Sequence, residues 1–242
     1  MNRLSRRHLL TAAGLLGAAG CDTTAPHEGF LGTMERWNAG AQQLLFRRSK
    51  LAPEEPEGAL TPMADFPAYK LGEEAPEVPA GWRLVVKGLV AKPLALSLKD
   101  LQRLPQTAVR VRHHCVEGWS GVAGWYGVRV SELARLAGAD PRARFVEFRS
   151  FEPTGDDEEE EGAPVKTYYS SWDRESVDHP QTILAYGMNG QPLTTDYGAP
   201  VRLYAGVKLG YKMVKWVNEV IFQPVRGGGY WEDKGYEWYG GV

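Results

Sequence analysis

The densest run of chemically capable side chains in this 242-residue chain is Arg112-His113-His114-Cys115-Val116-Glu117-Gly118-Trp119-Ser120. A thiol, two imidazoles and a carboxylate stand close together there, and three chemistries could use them. A thiol nucleophile needs a histidine nitrogen within hydrogen-bond reach of sulfur. On an extended segment His114 points to the face opposite Cys115, which leaves His113 or the remote His179 as the base. A structural zinc site needs about four thiolate or imidazole ligands, and one cysteine supplies too few. The third chemistry is a soft metal held by a single thiolate while a cofactor supplies the other ligands; coordination then removes the thiol proton outright.

The two cysteines are Cys21 and Cys115. Arg3, Arg6 and Arg7 precede the apolar stretch Leu9 to Ala19, a pattern similar to a twin-arginine export signal. Ala18-Ala19-Gly20-Cys21 is similar to a lipoprotein-processing box, in which the cysteine receives the lipid. The stretch is too short for a permanent membrane span. The expected location is periplasmic or extracytoplasmic, with anchorage through a lipid at Cys21. Cys115 is then a lone thiol in an oxidising compartment, where it must be buried and inert or else occupied by chemistry.

The elements that must position Cys115 follow from pattern. Thr107 to Arg112 alternates as a strand and delivers His113, His114 and Cys115 at its end. Ser97 with Asp100 three residues on predicts a capped short helix closed by Pro105. Ser131 opens another helix, stopped by Gly138. Arg144 to Phe151 alternates, with Val146, Phe148 and Ser150 on its more apolar face. Strands are also expected at Thr182 to Tyr186, Val201 to Ala205 and Met213 to Phe222, with a hairpin turn at Asn189-Gly190. Trp119 and Trp125 are expected in the core. Residues 1–21 form the signal, and 22–80 an extended arm over the surface, helical around Met34 to Phe46 and broken by prolines. Residues 81–242 form the main domain, whose aromatic end packs back onto it.

Composition supports an α+β protein with mixed sheets, short helices and long loops: 43% hydrophobic residues can bury a sizeable core, and 28 glycines and 16 prolines punctuate it. Carboxylates concentrate between Glu152 and Glu161. The run from Asp156 to Glu161 reads as a solvated loop or, alternatively, a docking surface for a basic redox partner. No broad basic stripe is present, which argues against nucleic-acid binding.

Cys115-Val116-Glu117-Gly118-Trp119-Ser120, followed by Trp125 and Gly127, resembles the cofactor-binding segment of the sulfite oxidase superfamily. It is similar to the branch containing the periplasmic methionine-sulfoxide reductase catalytic subunit. Arg144 to Phe148, Gly198-Ala199-Pro200-Val201-Arg202, and Leu209-Gly210-Tyr211-Lys212 with Lys215 match in the same order, so the resemblance runs from about Trp82 to Phe222. It implies the sulfite oxidase-type fold and a mononuclear molybdenum cofactor with one molybdopterin, with Cys115 as the protein's metal ligand and Glu117 beside it as a catalytic residue. His113, Ser150, Tyr197, Arg202, Met213, Val214 and Lys215 are implied to hold the cofactor; Lys212 is a further candidate. The guanidinium and ammonium suit the pterin's phosphate. Tyr197 stands where the reductase has asparagine. Sulfite-oxidising members carry arginines just after the cysteine, and Val116 to Ser120 has none. The resemblance therefore implies two-electron oxygen-atom transfer on an S-oxide or N-oxide. It further implies a monomer exchanging electrons with a separate membrane haem protein or soluble cytochrome. The competing classes are a non-enzymatic envelope lipoprotein that binds a partner, and a cysteine hydrolase using Cys115.

Overall fold

The computed structural model of the chain describes residues 29–155 and 165–242. The export signal, Cys21 and the acidic run at 156–161 lie outside the described residues.

Among the described residues ten strands form two five-stranded sheets. The first contains β1 (Leu84–Gly88), β2 (Leu94–Leu96), β5 (Phe145–Pro153), β6 (Thr167–Asp173) and β10 (Val217–Gln223), in the order β2-β1-β10-β5-β6. The β1–β10 pair is parallel and the rest antiparallel, giving a mixed sheet. The second contains β3 (Gln106–His114), β4 (Ser120–Arg129), β7 (Ile183–Met188), β8 (Gln191–Pro192) and β9 (Arg202–Tyr204); β8 and β9 both pair with β7.

The main core joins the two sheets. Val86, Val146, Phe148, Val220 and Phe222 of the first meet Val128, Leu184 and Leu203 of the second. The alternation read in β5 holds, with Val146, Phe148 and Ser150 buried. Glu147 on the opposite face is buried as well. The C-terminal segment runs alongside that face: the Trp238 indole donates to Ser171 Oγ at 2.9 Å and to the Gly227 carbonyl at 3.0 Å, and Glu147 accepts from Arg149 at 2.6 Å. The aromatic end thus packs back onto the domain as expected.

Helix α1 spans Gly29–Leu45 and α2 Leu98–Gln102. Ser97 and Asp100 form the expected reciprocal cap on α2, with Asp100 Oδ2 accepting from the Ser97 amide at 2.9 Å. Helix α3 (Val130–Ala137) ends at Gly138, whose φ of 61° is the left-handed stop. Helix α4 (Arg174–Val177) is one turn.

Three sequence expectations change. The run from Met213 is extended only from Val217, because Trp216 adopts φ 50° while its buried ring donates Nε1 to the Thr195 carbonyl at 2.8 Å. A tertiary contact overrides strand propensity there. Strands β4 and β6 did not stand out in the sequence, since glycines at 121, 124 and 127 interrupt one and serines dilute the other. The arm is more than a surface wrap. Glu55 N donates to Arg110 O and Thr61 N to Val122 O, each at 2.9 Å, which fastens it along β3 and β4.

Phe66 of that arm is buried in a second core, on the face of β3, β4 and β7 that carries Val109, Val111, Trp125, Ala185 and Met188. Its ring meets Trp119 and Trp125 edge-on at 5.7 and 6.1 Å. Phe66→Ala should therefore lower stability by about 3–5 kcal/mol, the usual cost of emptying a buried aromatic site. A chemical-denaturation midpoint within error of the parent would contradict this packing.

Candidate active site

Strands β3 and β4 pair without a slip from Gln106↔Val128 to His114↔Ser120, so residues 115–119 close a short loop. The Cys115 amide donates to the Trp119 carbonyl at 3.0 Å, and the Gly118 amide to the Cys115 carbonyl at 3.2 Å. Strand alternation sends His113 inward and His114 to the other side. The half-buried Cys115 thiol points at Glu117 Oε2, 3.7 Å away, and the Trp119 indole donates to the same oxygen at 3.3 Å. Burial raises the thiol pKa above its ordinary value, and the neighbouring Glu117 charge acts in the same direction. With no cation beside it, the sulfur keeps its proton.

The cysteine–histidine pair of a thiol hydrolase is not assembled, since the hydrogen-bonding partner of sulfur is Glu117. His179 is turned to the Lys50 carbonyl at 3.2 Å and accepts from the Gln181 amide at 3.2 Å.

The thiol opens into a cleft with about 910 Å³ of free space, part of it open to solvent. Its walls are largely aromatic: Phe66 and Tyr69 of the arm, Trp119 of the hairpin loop, Tyr168 of β6, and Tyr211, Trp231 and Tyr236. Trp125 is buried as expected, but Trp119 lines the cleft instead of packing wholly into the core.

Two cations face this space. Arg202, at the start of β9, is buried; its guanidinium carbon lies 4.6 Å from the centre of the Trp125 ring. Nη1 donates to the Tyr197 carbonyl at 3.3 Å, while Nε has no partner. Burial lowers the guanidinium to about 10. Lys215 donates to the carbonyls of Tyr69 and of Asp196, the latter at 3.0 Å. Burial and the charge of Arg202 bring its ammonium down to about 7, against the pull of Glu152 and Asp196. His113 is neutral, because burial and Arg202 push it to about 3, and its Nδ1 has no partner.

Two glycines let these groups converge. Gly198 has φ 101°, and a Cβ there would lie 2.9 Å from Lys215 Cβ and 3.1 Å from Arg202 Cβ. A Cβ on Gly210 would fall 2.9 Å from His113 Nε2. Both belong to blocks that the sequence had singled out, and their reason is steric.

Of the sequence candidates, His113, Cys115, Glu117, Arg202, Met213 and Lys215 line the cleft. Ser150, Tyr197 and Val214 stand behind it. Ser150 Oγ accepts from the Glu152 amide at 2.8 Å. The Tyr197 hydroxyl lies 2.9 Å from the Met63 carbonyl and 2.8 Å from that of Phe66, donating to one at a time. The Val214 carbonyl accepts from Leu203 N at 2.8 Å. Lys212 is buried on the Ser171 carbonyl at 3.1 Å and on Glu232, outside the residues that line the cleft. Glu152 also lines the cleft and was missed when counted with the acidic run. The signal was its parity, since it continues the buried face of Val146, Phe148 and Ser150.

The residues fit a cofactor-borne metal. Among the described residues no three His, Cys, Asp or Glu side chains are grouped to hold a metal ion, so a metal on Cys115 must bring its other ligands with it. The buried, unpartnered nitrogens of Arg202 and His113, together with Lys215, offer hydrogen bonds to a large polar anion.

Residues 72–231 match the family model of the oxidoreductase molybdopterin-binding domain. The chain belongs to this family. A proposed protein-methionine-sulfoxide reductase subunit, YedZ1, of Azospira oryzae is 40% identical over 96% of this chain and 84% of its own length. MsrP of Gluconobacter oxydans, a protein-methionine-sulfoxide reductase catalytic subunit, is 31% identical over 90% of this chain and 69% of its own. The sulfane dehydrogenase SoxCD of Paracoccus pantotrophus shares the fold, with a TM-score of 0.55 and 23% identity over 74% of this chain and 46% of that one. The chain is thus an α+β molybdopterin oxidoreductase of the sulfite oxidase type, a family whose cofactor carries molybdenum.

Were Lys215 to hold the cofactor phosphate, as the resemblance implies, its charge would set a pH dependence for that contact. Below about 7 Lys215 is protonated without help. Above it, the phosphate must supply the energy of protonation, so binding weakens as pH rises. Release of pterin from the loaded protein should be faster at pH 9 than at pH 6. Lys215→Met should raise release about tenfold or more at pH 6 and flatten the pH profile, the loss of one charge-assisted contact. Pterin fluorescence in dialysates reads both effects, and a profile unchanged by the substitution would rule out this role.

Proposed function

We propose that this protein is an exported reductase that transfers an oxygen atom from an S-oxide, protein-bound methionine sulfoxide being the class its relatives' names favour. One observation carries the reading: the Cys115 thiol opens into an aromatic-walled cleft lined by buried Arg202 and half-buried Lys215, while the hairpin loop from Val116 to Ser120 offers no arginine. Such walls suit a small polar S=O group carried on an apolar or thioether body better than a free oxyanion.

When bound, the molybdenum cofactor, with one pterin, supplies two-electron oxygen-atom exchange. Cys115 Sγ would ligate the metal and give up its proton. Glu117 Oε2, already hydrogen-bonded to the thiol, is the nearest carboxylate to receive it. Arg202, Lys215 and neutral His113 would hold the pterin and its phosphate, with backbone groups of Met213 and Val214. Ser150 and Tyr197 act from behind by fixing the backbone of Glu152 and Phe66. Phe66, Trp119 and Trp231 exclude water from the reacting group. Reduction of an S-oxide takes up two electrons and two protons and releases water and the sulfide. Glu117 Oε2, close to the sulfur, is placed to pass protons inward. Electrons come from a separate redox protein, either a membrane haem protein or a soluble cytochrome. A lipid at Cys21 would hold this monomeric enzyme at the membrane outside the cytoplasm. Among the described residues no helix is long and apolar enough to cross a bilayer.

A reductant-coupled screen of S-oxides and N-oxides with molybdenum-loaded protein tests the reading. Turnover is expected with methionine sulfoxide, free or in peptides. Cys115→Ser should reduce it by at least about a hundredfold, together with molybdenum content, while melting within a few degrees of the parent. Full molybdenum loading with no turnover on any S-oxide would sink the proposal.

A further inference from the structure

Helix α1 is oriented against the usual rule for an amphipathic helix. At 100° per residue, Phe30, Met34, Trp37, Ala41, Leu44 and Leu45 fall within one stripe about 100° wide, the width that normally faces a core. Here that stripe faces outward. Phe30 is 74% exposed, Trp37 69%, Leu44 76% and Leu45 73%. The opposite side holds the helix to the domain through small and polar groups: Ala39 is buried near Trp238 and Tyr239, and Gln42 donates to Glu237 Oε1 at 2.6 Å. Leu51, 53% exposed, follows the helix in sequence.

An outward apolar stripe of this size costs solubility unless something covers it, and the chain indicates what does. Cys21, the residue that reads as a lipid-attachment point, precedes Gly29 by only seven intervening residues. Even fully extended, that connection reaches roughly 28 Å, little more than the length of the helix itself. A single acyl chain binds a membrane only marginally, and firm attachment takes a second signal. The exposed Arg47 and Lys50, just after the helix, suit anionic headgroups. Phe and Trp are residues that settle at the headgroup boundary.

We propose that the outward stripe of α1 lies in the headgroup region of a lipid bilayer and sets how the enzyme is oriented on the membrane surface. The orientation draws on the reading of Cys21 as a lipid anchor, whereas the helix contact stands on its own geometry. The same helix is fastened to Glu237, and Trp238 and Tyr239 follow in the C-terminal segment whose Trp231 and Tyr236 wall the cleft. The contact therefore holds the cleft at a set attitude to the membrane.

The test uses mature holoenzyme and its Trp37→Ser/Leu44→Ser variant floated with vesicles of phosphatidylethanolamine and phosphatidylglycerol, with the N-terminal mass measured on each. Both side chains are exposed, so the melting temperature and reductant-coupled turnover should not change. Partition onto vesicles should fall about tenfold or more, as expected when two large apolar groups leave a membrane contact. Equal flotation of the two proteins overturns the proposal, as does failure of the parent to float. So does a dimer in sedimentation that the substitutions dissociate without altering flotation, since the stripe then pairs two copies. The N-terminal mass decides the anchor separately. An unmodified chain whose flotation depends on Trp37 and Leu44 ends the anchor reading and keeps the helix contact, while an acylated chain indifferent to them does the opposite.

Discussion

Nine consecutive residue pairs join β3 to β4, and the position of the Cys115 thiol follows from that register. A slip of one residue would turn His113 outward and carry His114 into the cleft, because side chains alternate along a strand. Within the loop, the amide and carbonyl of Cys115 are both used in closing the turn, so the sulfur is presented by a fixed backbone. The arm then locks the hairpin from one side through Thr61 and Phe66, and β7 from the other. A thiol on a mobile loop could ligate a metal, but it could not hold it at a constant distance from cations on β9 and near β10.

Those cations show how the protein separates structure from function. Among the described residues Arg202, Lys208 and Lys212 are buried and Lys215 is half-buried; two of these four have an acid close by. Lys212 pairs with Glu232, while Lys208 donates to the Tyr239 carbonyl at 2.7 Å with Asp173 at 3.9 Å. Arg202 and Lys215 have only carbonyls and an aromatic face in direct contact. Burying a charge without a counter-charge is costly. Hence the lowered pKa values of Arg202 and Lys215, set first by burial, mark a place chemically suited to an anion. Glu152, whose own carboxyl is raised by burial, moderates that field without neutralising it.

The walls of the cleft come partly from outside the shared domain. Phe66, Pro67, Ala68 and Tyr69 precede the matched region 72–231, and Tyr236 follows it. Cys115, Arg202 and Lys215 lie within the matched region, and the segments at either side contribute aromatic wall to the same cleft. Loops and arms held on a rigid scaffold are the usual place for such specificity.

The sequence by itself determined the lone thiol of Cys115, the strand that presents it, the cap of α2, the glycine stop of α3, and the blocks holding Arg202, Gly210 and Lys215; the start of α3, expected at Ser131, falls at Val130 after Arg129. These are local matters, fixed by alternation, capping and residue chemistry. It also placed an amphipathic helix near Met34 to Phe46, but periodicity gives a stripe and not the direction in which the stripe faces. Only the tertiary structure decided that the apolar side of α1 points outward, that Phe66 enters a core, and that Trp119 lines the cleft. The left-handed turn at Trp216 depends likewise on its contact with Thr195, remote in sequence. The physical reason is common to all of these: burial and hydrogen bonding between distant segments are properties of the folded chain, and no window of neighbouring residues contains them.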